Sequence, residues 1–339
     1  MYLPQFHEFS ENNEWWGKGF TEWTCVDRAV EICHGHKIKK PHPDIGRYDL
    51  RNPETRRLQA LMAKDHGVYG FCYYHYWFNG KILMEEPLHL MLQDGEPDLP
   101  FMMSWANEPW TRRMNGGNGE TIQPQSYGGE EEWKSHLNYL MQFFRHKNYI
   151  KIDGKPALVI YRVSQINRHK DRFDYWRKEI LKDFPGIFII STIGPFPKSE
   201  VTDTSCSVDA VFDFYPNFLR SPETVSCEIG SVAVCEIDKA WSIMLEDKKI
   251  APTHFKGMMV GFDSSPRNPQ RSCAFINNTP SGFLAAMRKQ MYRGYGDEFI
   301  FVNGWNEWGE QACLEPDEKD GYAYLHAIKK ATTHRVYHD

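Results

Sequence analysis

Short apolar runs alternate with amphipathic stretches along the whole chain. The runs fall at 1–6 (MYLPQF), 69–76 (YGFCYYHY), 101–106 (FMMSWA), 157–162 (ALVIYR), 187–193 (IFIISTI), 210–215 (AVFDFY), 257–262 (GMMVGF) and 298–303 (EFIFVN). Most are continuous rather than alternating, as in parallel strands covered on both faces. Helical patterns lie between them at 53–66, 84–93, 129–147, 171–183, 233–247, 280–293 and 321–333. Pro53 suits the first position of its helix and Gly67 the stop after it. In 129–147, Trp133, Leu137, Leu140 and Phe144 form one apolar stripe, which predicts packing against a sheet. Eight strands interleaved with helices predict an α/β fold: one (β/α)8 barrel covering residues 1–339. The connection 194–209 lacks a clear helical pattern. Residues 7–52 form a long insertion after the first run, and six aromatics between Phe6 and Trp23 predict that it is ordered and functional.

Composition narrows the function. A net charge of −5 offers no basic field, so nucleic acid is not expected as a partner. No apolar stretch approaches the roughly 20 residues of a membrane helix. The opening Met1-Tyr2-Leu3-Pro4 lacks the basic and apolar regions of a signal peptide, so a cytoplasmic location is expected. Eight cysteines are scattered without CxxC pairs, which predicts reduced thiols. Aromatics make up 14% of the chain, with 11 tryptophans. Flat indole faces suit both a large core and the apolar faces of sugar rings.

Barrel enzymes carry their reactive groups just after the strands. Here those positions are polar or aromatic. Gln5 and His7 stand at the end of the first run, and Tyr74, His75, Tyr76 and Trp77 at the end of the second. Trp105, Asn107, Glu108, Trp110, Arg112 and Arg113 follow the third. Tyr161, Arg162, Asp213, Tyr215, Asp263 and Arg267 come from the next runs, and Trp305, Asn306, Glu307, Trp308 and Glu310 from the last. The pair Glu307 and Glu310 is the sharpest candidate. Glycosidic bond cleavage needs one carboxyl group to protonate the leaving oxygen and a second to assist at the anomeric side. Residues three apart on a helical turn bring their Cβ atoms to about 5–6 Å, near the roughly 5–5.5 Å carboxyl separation of retaining glycosidases. Trp305 and Trp308 would supply low-dielectric walls that raise one carboxyl pKa.

Other groups carry two readings each. Glu108 binds sugar hydroxyls or pairs with Arg112 or Arg113, while Trp105 and Trp110 stack on rings. The two arginines hold an anionic sugar or an internal carboxylate. Asp263 and Arg267 contact substrate or brace their loop. His34 and His36 form an HxH without an evident third ligand, so no metal or other cofactor is expected. Asp317-Glu318-Lys319-Asp320 reads as a solvated helix start.

The run Asn306-Glu307-Trp308-Gly309-Glu310-Gln311-Ala312-Cys313-Leu314-Glu315-Pro316 resembles the NEWxEGTxIEP signature of the endo-α-mannosidases of glycoside hydrolase family 99. It resembles more closely the family 99-like, WbsX-type proteins labelled glycosyltransferases and found with bacterial O-antigen and capsule biosynthesis genes. That similarity spans nearly the whole chain, through YLPQFH, WWGKGFTEW, GRYDLR, GFCYYHYWFNGK, WANEPWTRR, GKPALVIYR and GWNEWGE. The resemblance implies a (β/α)8 barrel without a catalytic metal. It implies that Glu307 is the base that deprotonates the substrate 2-hydroxyl, giving a 1,2-anhydro sugar, and that Glu310 is the acid/base. Gln311-Ala312 departs from the Gly-Thr of the mannosidase signature, which bears on α-mannoside specificity more than on the glutamate roles. Three functions follow: a retaining, endo-acting hydrolase of a bacterial polysaccharide, a glycosyltransferase of O-antigen or capsule (lipopolysaccharide) biosynthesis, and a non-catalytic glycan-binding barrel. The substrate-binding set expected with the two glutamates is His7, Tyr74, His75, Trp77, Trp105, Asn107, Glu108, Trp110, Arg112, Tyr161, Tyr215, Asp263, Trp305, Asn306, Trp308 and Glu315.

Overall fold

A computed structural model describes residues 1–112, 117–195, 207–216, 219–294 and 299–333. The apolar runs become seven parallel strands: β1 (Phe71–Phe78), β2 (Phe101–Trp105), β3 (Lys155–Ile160), β4 (Phe188–Ile193), β5 (Ala210–Asp213), β6 (His254–Met258) and β7 (Ile300–Val302). Each pairs with the next in chain order to form one curled sheet. Short antiparallel segments, Lys81–Leu83 and Lys151–Ile152, extend it at β1 and β3. All eight residues of β1 are buried, as its continuous apolar run requires when both faces are covered.

The first apolar run joins the sheet by single bonds rather than a ladder. Tyr2 bridges Tyr73 in parallel, donating to the Cys72 carbonyl at 2.8 Å and accepting from the Tyr74 amide at 3.0 Å. On the other side the Met1 amino group donates to the Val302 carbonyl at 2.7 Å, and the Trp305 amide donates to the Met1 carbonyl at 2.8 Å. The segment thus bonds to both edges of the seven-stranded sheet.

Helices α1 (Ser10–Trp16) and α2 (Glu22–Arg28) lie in the insertion. They are followed by α3 (Pro53–Asp65), α4 (Glu86–Asp94), α5 (Glu130–Phe144), α6 (His169–Glu179), α7 (Ile237–Glu246), α8 (Pro280–Met291) and α9 (Ala323–Thr333). Asn52 caps α3 by accepting from the Glu54 amide, with Pro53 in the first turn. Trp133, Leu137, Leu140 and Phe144 of α5 are all buried, the face the spacing predicts. The insertion is ordered around a ring cluster: Phe6 meets Trp23 at 4.6 Å, and Trp23 meets Tyr48 at 5.0 Å.

Two expectations need correction. The strand expected at 257–262 spans His254–Met258. Its start is masked by polar residues that are buried and satisfied, since His254 pairs with Asp213 at 3.0 Å and the Lys256 ammonium donates to the Arg293 carbonyl at 3.2 Å. The helix expected at 233–247 begins only at Ile237, because Val232–Glu236 forms a strand between Val225–Ile229 (antiparallel) and Cys273–Ile276 (parallel). That small sheet stands apart from the main one. Most of the 194–209 connection lies outside the described residues.

Three asparagines seal strand ends where the ladder stops. Asn107 accepts from the Arg162 amide and donates to the Arg162 carbonyl, both at 2.8 Å. Asn303 accepts from the Val260 amide and donates to the Gly261 carbonyl, both at 2.9 Å. Asn306 accepts from the Leu3 amide at 2.8 Å and donates to the Leu3 carbonyl at 3.0 Å. An amide alone offers a donor and an acceptor side by side, so each side chain replaces one rung of a sheet.

Candidate active site

A cleft of about 560 Å³ opens beyond the C-terminal ends of the strands, with Glu307 and Glu310 in its wall. The chain after β7 pairs Asn306–Glu307 with Ala312–Cys313 and makes a single 3-10 turn over Trp308–Glu310 between them. That turn aims both carboxylates at one guanidinium. Arg267 donates through Nη1 to Glu310 Oε1 at 2.6 Å and through Nη2 to Glu307 Oε1 at 2.7 Å. Neither carboxylate makes another side-chain hydrogen bond among the described residues, which leaves Oε2 of each unengaged. A third carboxylate, Glu22 of α2, lies 3.1 Å from Nη2 and 3.3 Å from Nε of the same arginine. A Cβ on Gly309 would come within 2.1 Å of Glu22 Oε2 and 2.9 Å of Arg267 Nε, so only glycine lets this pair pack beneath the turn.

The two glutamates sit in unlike surroundings. The Glu307 side chain is 9% exposed and that of Glu310 is 31% exposed. Burial pushes Glu307 up to about 8, against the pull of Arg267, and the charges of Glu310 and Glu22 push the same way.

Several expected residues share this cleft: Tyr74, Glu108, Trp110, Tyr161 and Tyr215 line it with the two glutamates. Glu108 accepts from Arg162 Nη1 at 2.8 Å. Trp110 is held edge-on by Tyr76 at 5.0 Å and Trp15 at 5.8 Å. The Tyr215 hydroxyl donates to Asp247 at 2.8 Å. Gln5, Tyr76 and Arg267 also line the cleft.

The others are packed elsewhere. Glu315 lies beneath the cleft, where its two oxygens accept from Tyr48 (2.7 Å), Gln59 (2.6 Å), Trp305 Nε1 (3.0 Å) and Trp308 Nε1 (2.8 Å). Trp305 and Trp308 are thus pinned by their indole N–H groups as supports of the Glu307 turn. Asn306 spends its amide on Leu3, and Asn107 spends its own on Arg162. Trp105 is fully buried and donates to the Trp77 carbonyl at 3.0 Å. Trp77 stacks on His136 at 4.5 Å. His75 meets His136 ring to ring, Nε2 to Nε2 at 2.9 Å, and burial pushes His75 down to about 3. His7 is buried, and desolvation pushes it down to about 4. Arg112 pairs with Glu120 at 2.8 Å and donates to the Trp15 carbonyl at 3.0 Å; Arg113 lies outside the described residues. Asp263 turns from the cleft to meet His36 at 2.7 Å, while its amide donates to the Glu310 carbonyl at 2.7 Å.

Gln311, which stands where the mannosidase signature has glycine, takes a left-handed φ of 53°. Its amide offsets the strain by donating to the Trp308 carbonyl at 2.8 Å. Among the described residues no group of three or more His, Cys, Asp or Glu could hold a metal ion, and no helix is long and apolar enough to cross a membrane.

Both buried carboxyls couple stability to pH. Burial raises Glu315 to about 7, as it raises Glu307 to about 8, from an ordinary 4.5. The folded state therefore keeps protons that the unfolded chain releases. The stabilisation they give is full below about pH 4.5 and is lost as pH rises through 7 and 8. Denaturant melts at pH 5.5 and 8.5 should show the protein less stable at the higher pH, with a smaller difference in Glu315→Gln. An unchanged difference in that variant would remove Glu315 from the account.

Known proteins resemble the chain along most of its length. The model of the family described as glycosyltransferase WbsX matches residues 1–328. The WxcX protein of Xanthomonas campestris pv. campestris is 30% identical over 343 residues, covering 98% of this chain and 49% of its own length. The chain therefore spans about half the length of the curated relatives it matches. Among solved structures, a glycoside hydrolase-like protein superposes with a TM-score of 0.61 at 14% identity, over 95% of this chain and 99% of its own. The family 99 endo-α-mannosidase of Bacteroides thetaiotaomicron, complexed with bis-tris propane, also gives 0.61 at 14% identity, over 98% and 95%. These structures share the fold.

Proposed function

The chain belongs to the WbsX glycosyltransferase family, and from that premise we propose that it is a carbohydrate-active enzyme that breaks a glycosidic bond with retention, using Glu307 and Glu310. In this reading the curled sheet and the segment bonded to both its edges form a closed (β/α)8 barrel. The observation that carries the proposal is the clamp: one guanidinium engages an oxygen of each glutamate at the wall of a cleft lined by tyrosines and a tryptophan.

The unlike surroundings support unlike roles. Glu307 is deep, and a carboxyl pushed up to about 8 is a strong base once ionised. It suits removal of a proton from a sugar hydroxyl held against it, the 2-hydroxyl in the anhydro-sugar route. Glu310 reaches solvent, as a group that protonates a leaving oxygen and then activates water must. Tyr74, Tyr161, Tyr215, Trp110 and Glu108 would bind the rings and hydroxyls of the chain on either side.

Transfer from a nucleotide sugar is the alternative that the family description supports. It asks for a cation free to meet a diphosphate. Among the described residues the one arginine that lines the cleft, Arg267, is engaged by three glutamates, and Arg162 is engaged by the cleft residue Glu108. Hydrolysis or transglycosylation fits that electrostatics better.

The test is to incubate purified protein with bacterial O-antigen and capsular glycans without nucleotide sugar and to detect products by mass spectrometry. Shortened glycans are expected. Products that appear only when a nucleotide sugar is added would favour the transferase. On a cleaved glycan, kcat/KM should climb with pH towards a limb near 8, where free Glu307 ionises. A rate that falls through that limb would exchange the two roles.

A further inference from the structure

We infer that Glu22 is a positioning residue for the Glu307–Glu310 pair: it anchors Arg267 from behind, and its negative charge sets how many protons the pair holds. The inference rests on the reading of that pair as the reacting groups.

Glu22 comes from the insertion, 245 residues before Arg267 in the chain. Its side chain is 5% exposed, a place where a carboxylate persists only with a strong partner. Arg267 is that partner. The geometry divides the guanidinium into two faces. Nε and one side of Nη2 go to Glu22, while Nη1 and the other side of Nη2 go to the glutamates of the turn. Glu22 and Glu307 thus meet the same nitrogen, at 3.1 and 2.7 Å. Without Glu22 the guanidinium would be free to rotate out of the plane that holds both Oε1 atoms.

Charge counting gives the second half. Three carboxylates surround one cation, so full ionisation would leave two net negative charges in a largely buried volume. Such a cluster favours keeping a proton on one of its carboxyls, and Glu307 is the one that burial and the other two charges push up. Other titratable groups also face Glu307. Tyr74 and Tyr76 of β1 and Tyr161 after β3 are buried phenols held well above their ordinary range. Behind Glu307 stand the Cys313 thiol, which burial keeps protonated, and the Met1 amino group, whose pKa burial lowers. Glu22 is the one carboxylate of the cluster absent from the cleft lining, so it can tune the proton without touching a ligand.

Protein carrying carboxyl-13C glutamate, titrated by NMR from pH 5 to 10, reads this directly. The Glu307 signal is assigned by its loss in Glu307→Gln. Glu22→Gln is expected to lower the Glu307 midpoint by about one pH unit or more, because a neighbouring like charge is gone. Glu22→Asp keeps the charge and should stay much nearer the wild-type midpoint. If Glu22→Gln does not fold, Glu22→Ala takes its place with the same expected shift. An unchanged midpoint in a folded Gln or Ala variant overturns the inference, as does an Asp variant that shifts as far as Gln. On a cleaved glycan the rising limb of kcat/KM should move to lower pH with the NMR midpoint. The expected NMR shifts in a protein that cleaves no glycan would sink the glycosidase reading while leaving the charge arrangement standing.

Discussion

Exchange of Glu310 for glutamine is expected to reduce glycan cleavage by about 10²–10⁴-fold, the range that a positioned proton donor supplies. The amide keeps the shape and can still meet Arg267 through its carbonyl oxygen, so binding should change little and the loss should fall on kcat. Glu307→Gln should cost a similar factor by a different route, since it removes the one buried carboxyl among the described residues that line the cleft. Stopped assays of both variants on the glycan cleaved by the wild type, with melting curves alongside, would check this. A Glu310→Gln enzyme retaining more than a tenth of the wild-type rate would end the assignment.

The second large effect is expected in a buried network outside the cleft lining. Arg172 is fully buried with its guanidinium 4.7 Å from each of the Trp105 and Trp176 rings. It pairs with Glu132 at 3.0 Å, donates to the Tyr127 carbonyl at 3.1 Å and donates to His136 Nδ1 at 2.9 Å. Because arginine can only donate, His136 Nδ1 is the acceptor, its Nε2 carries the proton, and His75 Nε2 accepts it. Both imidazoles are neutral, as burial also dictates. Arg172→Ala would strand Glu132 without its cation and break this chain at its source. Removing one partner of a buried pair costs about 3–5 kcal/mol, which in a chain of this size lowers Tm by roughly 4–7 °C. A shift of only one or two degrees would mean that water reaches Glu132 and that the network is ornamental to stability.

How much of this could be read from the chain alone differs between fold and site. Continuous apolar runs located six of the seven parallel strands and overlapped only the end of the other, because strands buried on both faces leave no alternation to confuse with a loop. The same rule failed where polar residues are buried and paired. His254 and Lys256 hid the start of β6, and the Val232–Glu236 strand was absorbed into the helix that follows it. In the site, Glu307 and Glu310 stood out because a short polar turn between tryptophans has few other uses. Trp105 reads as a ring platform by position, yet it is buried with its N–H tied to the Trp77 carbonyl, while Trp305 and Trp308, expected as apolar walls, have their N–H groups tied to Glu315. Glu22 gave no signal, since its role depends on an arginine that neither spacing nor periodicity links to it.

Chain order adds a consequence for biosynthesis. The cation and its three counter-charges come from residues 22, 267, 307 and 310, so the cluster joins segments far apart in the chain. Until the last strand emerges, Arg267 has only Glu22 to neutralise it, and neither acidic side chain of the turn yet exists. A chain that stops short of residue 307 therefore lacks both glutamates of the clamp, which assembles only when long-range contacts close.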